Sequence, residues 1–218
     1  PARTALAPAS SGRMRFTVSG LMPLPATSVC ARATPERAPM YRITTAVHIH
    51  FSHHVRGHSG PCISLHGHTW KFELTLEARA LDVEGFVVDF DRVHELVLEP
   101  CHRLLDHSLA LGRASFEQNA EPLSALGRNL VASRTETLGH LGEPPFHLEG
   151  GLGEAENVLP GGIKVAVFPF APTSERLAEW FFGVAAARLG DERVRVVRAR
   201  VYESLLPVAT YAEFAPDE

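Results

Sequence analysis

The stretch "MYRITTAVHIHFSHHVRGHSGPCISLHGHTWKFELTLEA", residues 40–78, decides the fold. Its first third alternates: Tyr41, Ile43, Val47, Ile49 and Phe51 form an apolar odd-numbered face, interrupted only by Thr45. Arg42, Thr44, His48, His50 and Ser52 form the polar face. A two-residue period over a dozen positions predicts a half-buried strand. The last third repeats the pattern with the opposite parity, Trp70, Phe72, Leu74 and Leu76 apolar against Lys71, Glu73, Thr75 and Glu77. Between the two lies a loop dense in histidine. Seven of the chain's twelve histidines fall between residues 48 and 68.

Downstream, "LDVEG" (81–85) predicts a turn, and Asp89 is placed to cap a helix carrying Val93, Leu96 and Val97. Pro100 is expected to kink or interrupt that helix before Leu104 and Leu105. Residues 109–162 are rich in Gly and Pro with little period, and read as a long insertion with at most minor structure of its own. "IKVAVF" (163–168) predicts a short strand. A helix follows over 174–189, capped by Thr173 or Ser174 and ended by Gly190. "RVRVVRARVYES" (193–204) and "VATYAEF" (208–214) close the chain as two strands. Two strands, a helix, an insertion, a helix and two strands make an α+β pattern with antiparallel pairing.

The 218 residues have room for one sizeable domain, and 45% hydrophobic with 21% charged suits a globular protein. A net charge of −4 gives no reason to expect nucleic acid or an anionic membrane as partner. No apolar run approaches the length of a membrane span. Cys30, Cys62 and Cys101 are an odd, widely spaced set, so a reducing, cytoplasmic setting is the simpler expectation. Residues 1–39 hold Glu36 as their one acidic residue and show no sustained period, which suits a disordered leader. They read equally as a transit-like segment or as sequence upstream of a natural start at Met40. The folded domain is expected over residues 40–218.

Strand parity selects among the histidines. His53 continues the apolar face of the first strand, and His66 with His68 continue that of the second backwards. Side chains at i and i+2 project from one side of a strand, about 7 Å apart at the backbone, so two imidazoles can lean onto one ion. If the strands pair, His53 completes a set of three. Three protein ligands with one position open are the pattern of catalytic zinc. Gly67 lets the backbone pass closely between the two ligands. His54 is the alternative first ligand if the strand ends early; the remaining histidines read as surface or loop residues.

Cys62 lies in the loop over this cluster, and beside a cation it becomes a base or nucleophile. Asp106 next to His107 in "LLDHSL" suggests a carboxylate orienting an imidazole for proton transfer. Glu203 ends the stripe Val197, Ala199, Val201 with a carboxylate suited to a pair of ligand N–H donors. Glu175 sits in the first turn of the second helix, where acids are favoured in any case.

Taken in order, "FSHH", "CISLHGHTW", "GFVVDF", "LLDH", "APTSE" and "VRVVRARVYES" resemble the 6-pyruvoyl-tetrahydropterin synthase and 6-carboxytetrahydropterin synthase family, over most of residues 41–108 and 163–214. The resemblance implies the tunnelling fold, an antiparallel four-stranded sheet with two helices on one face. It also implies homo-oligomeric barrels, trimers stacked into hexamers, with sites at subunit interfaces. Carried over residue by residue, it makes His53, His66 and His68 zinc ligands, Cys62 the catalytic cysteine and Asp106–His107 the proton relay. Glu203 matches the carboxylate gripping the pterin, with Glu175 and Thr173 in the same pocket. The implied reaction takes 7,8-dihydroneopterin triphosphate to 6-carboxytetrahydropterin with loss of acetaldehyde and triphosphate, feeding queuosine synthesis. The short spacing from Cys62 to His66 is similar to that of the carboxy branch; the alternative stops at 6-pyruvoyl-tetrahydropterin. A non-catalytic zinc- or pterin-binding protein is the reading from another class. By charge, Arg56 and Lys71 are the candidates for the triphosphate. The chain departs from the family where Phe51-Ser52 precede the first zinc histidine, and in its long insertion.

Overall fold

The computed structural model describes residues 39–132, 146–148, 153–155, 163–205 and 209–216. The expected leader, up to residue 38, and much of the stretch from 133 to 162 lie outside the described residues. Strands β1 (Tyr41–His53) and β2 (His66–Ala78) pair antiparallel from Tyr41 opposite Ala78 to His53 opposite His66. The faces follow the expected parity. Ile49, Trp70, Phe72, Leu74 and Leu76 are fully buried, and the Phe51 and Trp70 rings stack at 4.7 Å. Burying each such side chain stabilises the fold by about 1.5–3 kcal/mol. A one-residue slip would turn them all to solvent, so this register is strongly specified. Gly67 fits the narrow gap between the strands: a Cβ there would meet Ser52 Oγ at 3.0 Å and the Phe51 carbonyl oxygen at 3.3 Å.

Strand β3 (Leu109–Gly112), helix α3 (Arg113–Ala132) and strands β4 (Phe146–Leu148) and β5 (Gly153–Ala155) fall where the sequence suggests little structure. Strand β6 (Val165–Phe168) matches its expectation, as do β7 (Val194–Ser204) and β8 (Thr210–Phe214). The sheet is eight-stranded and mixed, in the order β4-β5-β6-β3-β1-β2-β7-β8. This corrects the expected four-stranded antiparallel sheet. The four expected strands are contiguous and antiparallel, but β3 adds to the other edge of β1 in parallel, and β6 adds to β3 in parallel. The physical reason is legible in β6, whose four residues are all buried. Ala166 and Phe168 face the main core. Val165 and Val167 join Leu111 in a second apolar cluster with Phe116 and Leu123 of α3. Parallel strands covered on both faces read as continuous apolar runs.

Asp89 caps α1 (Phe90–Val93), its carboxylate accepting from Asp91 N at 2.9 Å. The chain continues through a π-helical turn, His94–Leu98, into α2 (Glu99–Leu105). Pro100 has no N–H for the Leu96 carbonyl four residues back. That oxygen instead accepts from the Arg188 guanidinium at 2.8 Å. Arg188 belongs to α4 (Ser174–Leu189), whose bounds match the expected helix. Thr173 Oγ1 accepts from Arg176 N, and Leu177, Ala178, Phe181, Val184 and Ala185 form the buried stripe on the sheet. Gly190 does not take the left-handed conformation usual at a helix end; its φ is −68°. Glycine is needed there because a Cβ would come within 2.6 Å of the Ala186 oxygen.

Strand β7 contains one correction to the stripe read from sequence. Leu76 pairs with Val196 and Thr75 with Arg198, leaving Val197 as an extra residue in a bulge. The parity therefore switches, so that Val194, Val196, Ala199 and Val201 are the buried positions. A second irregularity between Tyr202 and Ser204 falls at Glu203.

Candidate metal centre and active site

The paired ends of β1 and β2 bring three imidazoles together. His53 and His66 stand directly opposite one another, with Nε2 atoms 3.2 Å apart, and His68 adds a ring centroid 5.5 Å from that of His53 and 5.0 Å from that of His66. One ring nitrogen from each lies within 4.8 Å of the others, close enough for the group to hold a metal ion. The indole of Trp70 walls the cluster, edge-on to His53 and His68. Its N–H is satisfied by the Phe51 carbonyl.

Backbone carbonyls fix the tautomers. His53 Nδ1 lies 2.7 Å from the Pro172 oxygen and His66 Nδ1 lies 2.8 Å from the Ser64 oxygen. A carbonyl only accepts, so each Nδ1 carries the proton and each Nε2 turns a lone pair to the centre. Burial pushes the His53 pKa down to about 4; the Pro172 contact opposes this, and the neighbouring imidazoles add to it. Burial likewise lowers that of His68, against the raising effect of Glu203. Both favour the neutral, ligating form.

Glu203 Oε1 lies 3.6 Å from His53 Nε2 and 4.0 Å from His68 Nε2. The irregularity in β7 at this residue is the kind that re-aims a side chain. Thr173 is occupied as the α4 cap, and Glu175 is exposed in the first turn, its carboxylate accepting from Ser174 Oγ at 3.4 Å. Both follow Pro172, whose carbonyl holds the His53 ring. Cys62 is a half-exposed free thiol in the 3-10 turn Pro61–Ile63, pinned where Val55 N donates to its carbonyl at 2.8 Å. His54 has the opposite parity and lines cavities beside Leu109 and Arg113, away from the three histidines.

Asp106 and His107 do not join the cluster. They lie on the other edge of β1, where His50 N donates to Asp106 Oδ1 at 3.1 Å and His107 N donates to the His50 oxygen at 2.7 Å. Asp106 Oδ2 accepts from His107 Nδ1 at 2.6 Å. Burial opposes ionisation of Asp106, but the bonds from His50 N and His107 outweigh it and hold the pKa low. His107 adopts φ +57° and leaves 83% of its side chain exposed.

The sequence profile of the 6-pyruvoyl tetrahydropterin synthase family matches residues 42–213. The chain belongs to this family. A relative from Rickettsia bellii named 6-carboxy-5,6,7,8-tetrahydropterin synthase is 33% identical over 130 residues, 60% of this chain and 82% of that one. A protein of the same name from Haemophilus influenzae is 22% identical across 178 residues, 80% of this chain and all of the other. Among solved structures, an uncharacterized protein from Wolinella succinogenes superposes with a TM-score of 0.58 at 20% identity. The match covers 82% of this chain and 99% of that one, and shows a shared fold.

The residues present fit the zinc that the family resemblance implies. Two neutral imidazoles facing lone pair to lone pair at 3.2 Å repel unless a cation or proton lies between them. His68 Nε2 is buried with no hydrogen-bond partner among the described residues. Both features are what an ion would satisfy. The carbonyls of Pro172 and Ser64 escaped the sequence reading because backbone atoms leave no residue signature. His102, 3.8 Å from Asp106, also escaped, although its i, i+4 spacing on one helix face was a usable signal.

Proposed function

We propose that the chain is a zinc-dependent lyase converting 7,8-dihydroneopterin triphosphate to 6-carboxy-5,6,7,8-tetrahydropterin, with release of acetaldehyde and triphosphate. The observation that carries this reading is the convergence of His53, His66 and His68 on one point with the Glu203 carboxylate at its edge. The relatives named 6-carboxy-5,6,7,8-tetrahydropterin synthase support it. The product would feed queuosine synthesis.

His53, His66 and His68 would hold the zinc, which would supply Lewis acidity toward the oxygens of the substrate's side chain and so make the adjacent C–H groups more acidic. Glu203 accepts hydrogen bonds from the pterin amino and ring N–H groups, and Thr173 and Glu175 border the same pocket. Cys62 takes and returns a proton. His107 exchanges protons at Nε2 while Asp106 holds its Nδ1. Trp70 and the strand ends keep bulk water from the back of the site. Cleavage of the side-chain carbon–carbon bond consumes one water, whose oxygen ends in the new carboxylate, and the redox balance is internal, because the ring gains the hydrogen that the side chain loses.

The relay and the three histidines occupy opposite edges of β1. This arrangement supports a homo-oligomer in which His107 of one subunit serves the site of the next. The 6-pyruvoyl product is the second reading, favoured by the description of the matching family profile. Incubating zinc-loaded protein with 7,8-dihydroneopterin triphosphate and identifying products by mass spectrometry tests both. Carboxytetrahydropterin with acetaldehyde supports the first reading, and pyruvoyl-tetrahydropterin the second. Zinc-dependent turnover of neither kind refutes both and favours a non-catalytic binder.

A further inference from the structure

We propose that Lys164 is a positioning residue for the Asp106–His107 pair, holding the peptide between them so that the His107 ring stays on the Asp106 carboxylate. This rests on the proton-relay reading above and adds a residue to it.

Leu105, Asp106, His107 and Ser108 form a tight turn at the end of α2, closed by Ser108 N donating to the Leu105 oxygen at 3.0 Å. Asp106 has φ −60° and ψ 130°, and His107 has φ +57°. These angles belong to a type II turn, whose third residue needs a positive φ and is usually glycine or asparagine. His107 is the one non-glycine residue with a positive φ among the described residues. A type I turn would keep the closing hydrogen bond and return the third residue to negative φ, and it requires only that the central peptide rotate. The left-handed form of a histidine therefore persists only where its surroundings hold that peptide.

Both ends of the central peptide are held. Its carbonyl, that of Asp106, accepts from Lys164 Nζ at 2.7 Å, and its N–H, that of His107, donates to the His50 oxygen at 2.7 Å. Lys164 Nζ also donates to the Arg103 oxygen at 2.6 Å. One ammonium thus bridges two carbonyls at the end of α2, where the helix dipole favours a cation. The lysine is anchored in turn: its own carbonyl accepts from Leu109 N at 2.9 Å, and the next residue begins β6. Rotating the peptide would forfeit the bonds to Lys164 and His50 together. It would also carry the His107 ring off Asp106 Oδ2, which lies 2.6 Å from its Nδ1. His50 contributes through its backbone, so Lys164 is the side chain through which the clamp can be tested. It stands 58 residues from Asp106, outside the motif that marks the pair.

An ionised carboxylate only accepts, so Asp106 fixes the proton of neutral His107 on Nδ1. Nitrogen NMR on the zinc-loaded full chain, labelled at histidine and kept mildly alkaline, reads this tautomer; His107→Gln identifies the signal. Lys164→Met is expected to shift the proton toward Nε2 and to lower kcat by roughly tenfold or more, with KM and zinc uptake little changed. Circular dichroism checks the fold. Lys164→Gln, a neutral amide of shorter reach, carries the same expectation and decides the matter if the Met variant misfolds. A folded variant whose His107 keeps the Nδ1 proton would overturn the proposal, as would a wild-type His107 protonated on Nε2. A shifted tautomer with unchanged kcat would instead refute the relay reading and leave Lys164 as the residue that holds His107.

Discussion

His53 Nε2 and His66 Nε2 face each other at 3.2 Å across the last rung of β1 and β2, each with Nδ1 against a backbone carbonyl. Such an arrangement holds two lone pairs together and is relieved by a cation. Zinc is therefore expected to bind one per chain and to raise the melting temperature. At a hundredfold excess over Kd, the stabilisation is about 2.7 kcal/mol. His66→Ala should abolish both the stoichiometry and the thermal shift. A His66→Ala protein that still takes up one zinc would show that the ion lies elsewhere.

The metal-free protein should lose stability in mild acid. His53 has a pKa of about 4 in the fold against 6.5 unfolded, so between these values the unfolded chain binds the extra proton. Stability from this group is complete above pH 6.5 and falls as the pH drops toward 4, by up to about 3 kcal/mol. Urea denaturation at several pH values reads it. His53→Asn should flatten the profile in that window, and an unaltered slope in that variant would assign the acid loss to other groups.

Cys62 lies in a short turn outside the three-histidine cluster. Cys62→Ala is expected to keep zinc at one per chain while kcat falls by about 10²–10⁴, the usual range for a proton-transfer group. Full turnover in the variant would remove the thiol from the mechanism.

Asp106–His107 and the three histidines do not meet within one chain. Asp106→Asn and His66→Ala should each be inactive alone, yet mixed oligomers should recover activity, because some interfaces then pair an intact relay with an intact metal centre. Failure to recover would place the whole reaction within a single subunit or exclude the relay.

The bulge at Val197 lets Val194 and Val196 share the buried face with Ala199 and Val201. Deleting Val197 makes Val196 and Arg198 neighbours and restores a regular alternation in the same register, so both valines stay buried. The expected cost is below about 1 kcal/mol, measured by urea denaturation. A loss of about 3–6 kcal/mol, that of turning two valines to solvent, would show that the bulge itself is needed to hold the register.

The sequence by itself determined the parts whose signal is local. Period two over residues 41–53 and 66–78 set the strands and their inner faces, which alone picked His53, His66 and His68 from twelve histidines. Thr173 and Gly190 bracketed α4 because capping depends on immediate neighbours. Tertiary structure decided the rest. Four residues of β3 carry too little pattern to be seen, and α3 hides behind Pro122 within it. The place of β3 comes from parallel pairing with β1 and β6, and that of α3 from packing Phe116 and Leu123 on Leu111, Val165 and Val167. The bulge at Val197 arises from register with β2, so no count along β7 alone reveals it. Above all, local alternation fixes which face a side chain takes, whereas nonlocal hydrogen bonds decide which edge of β1 each partner occupies. That is why the three histidines were legible together, while the separation of Asp106–His107 from them appears only in the folded chain.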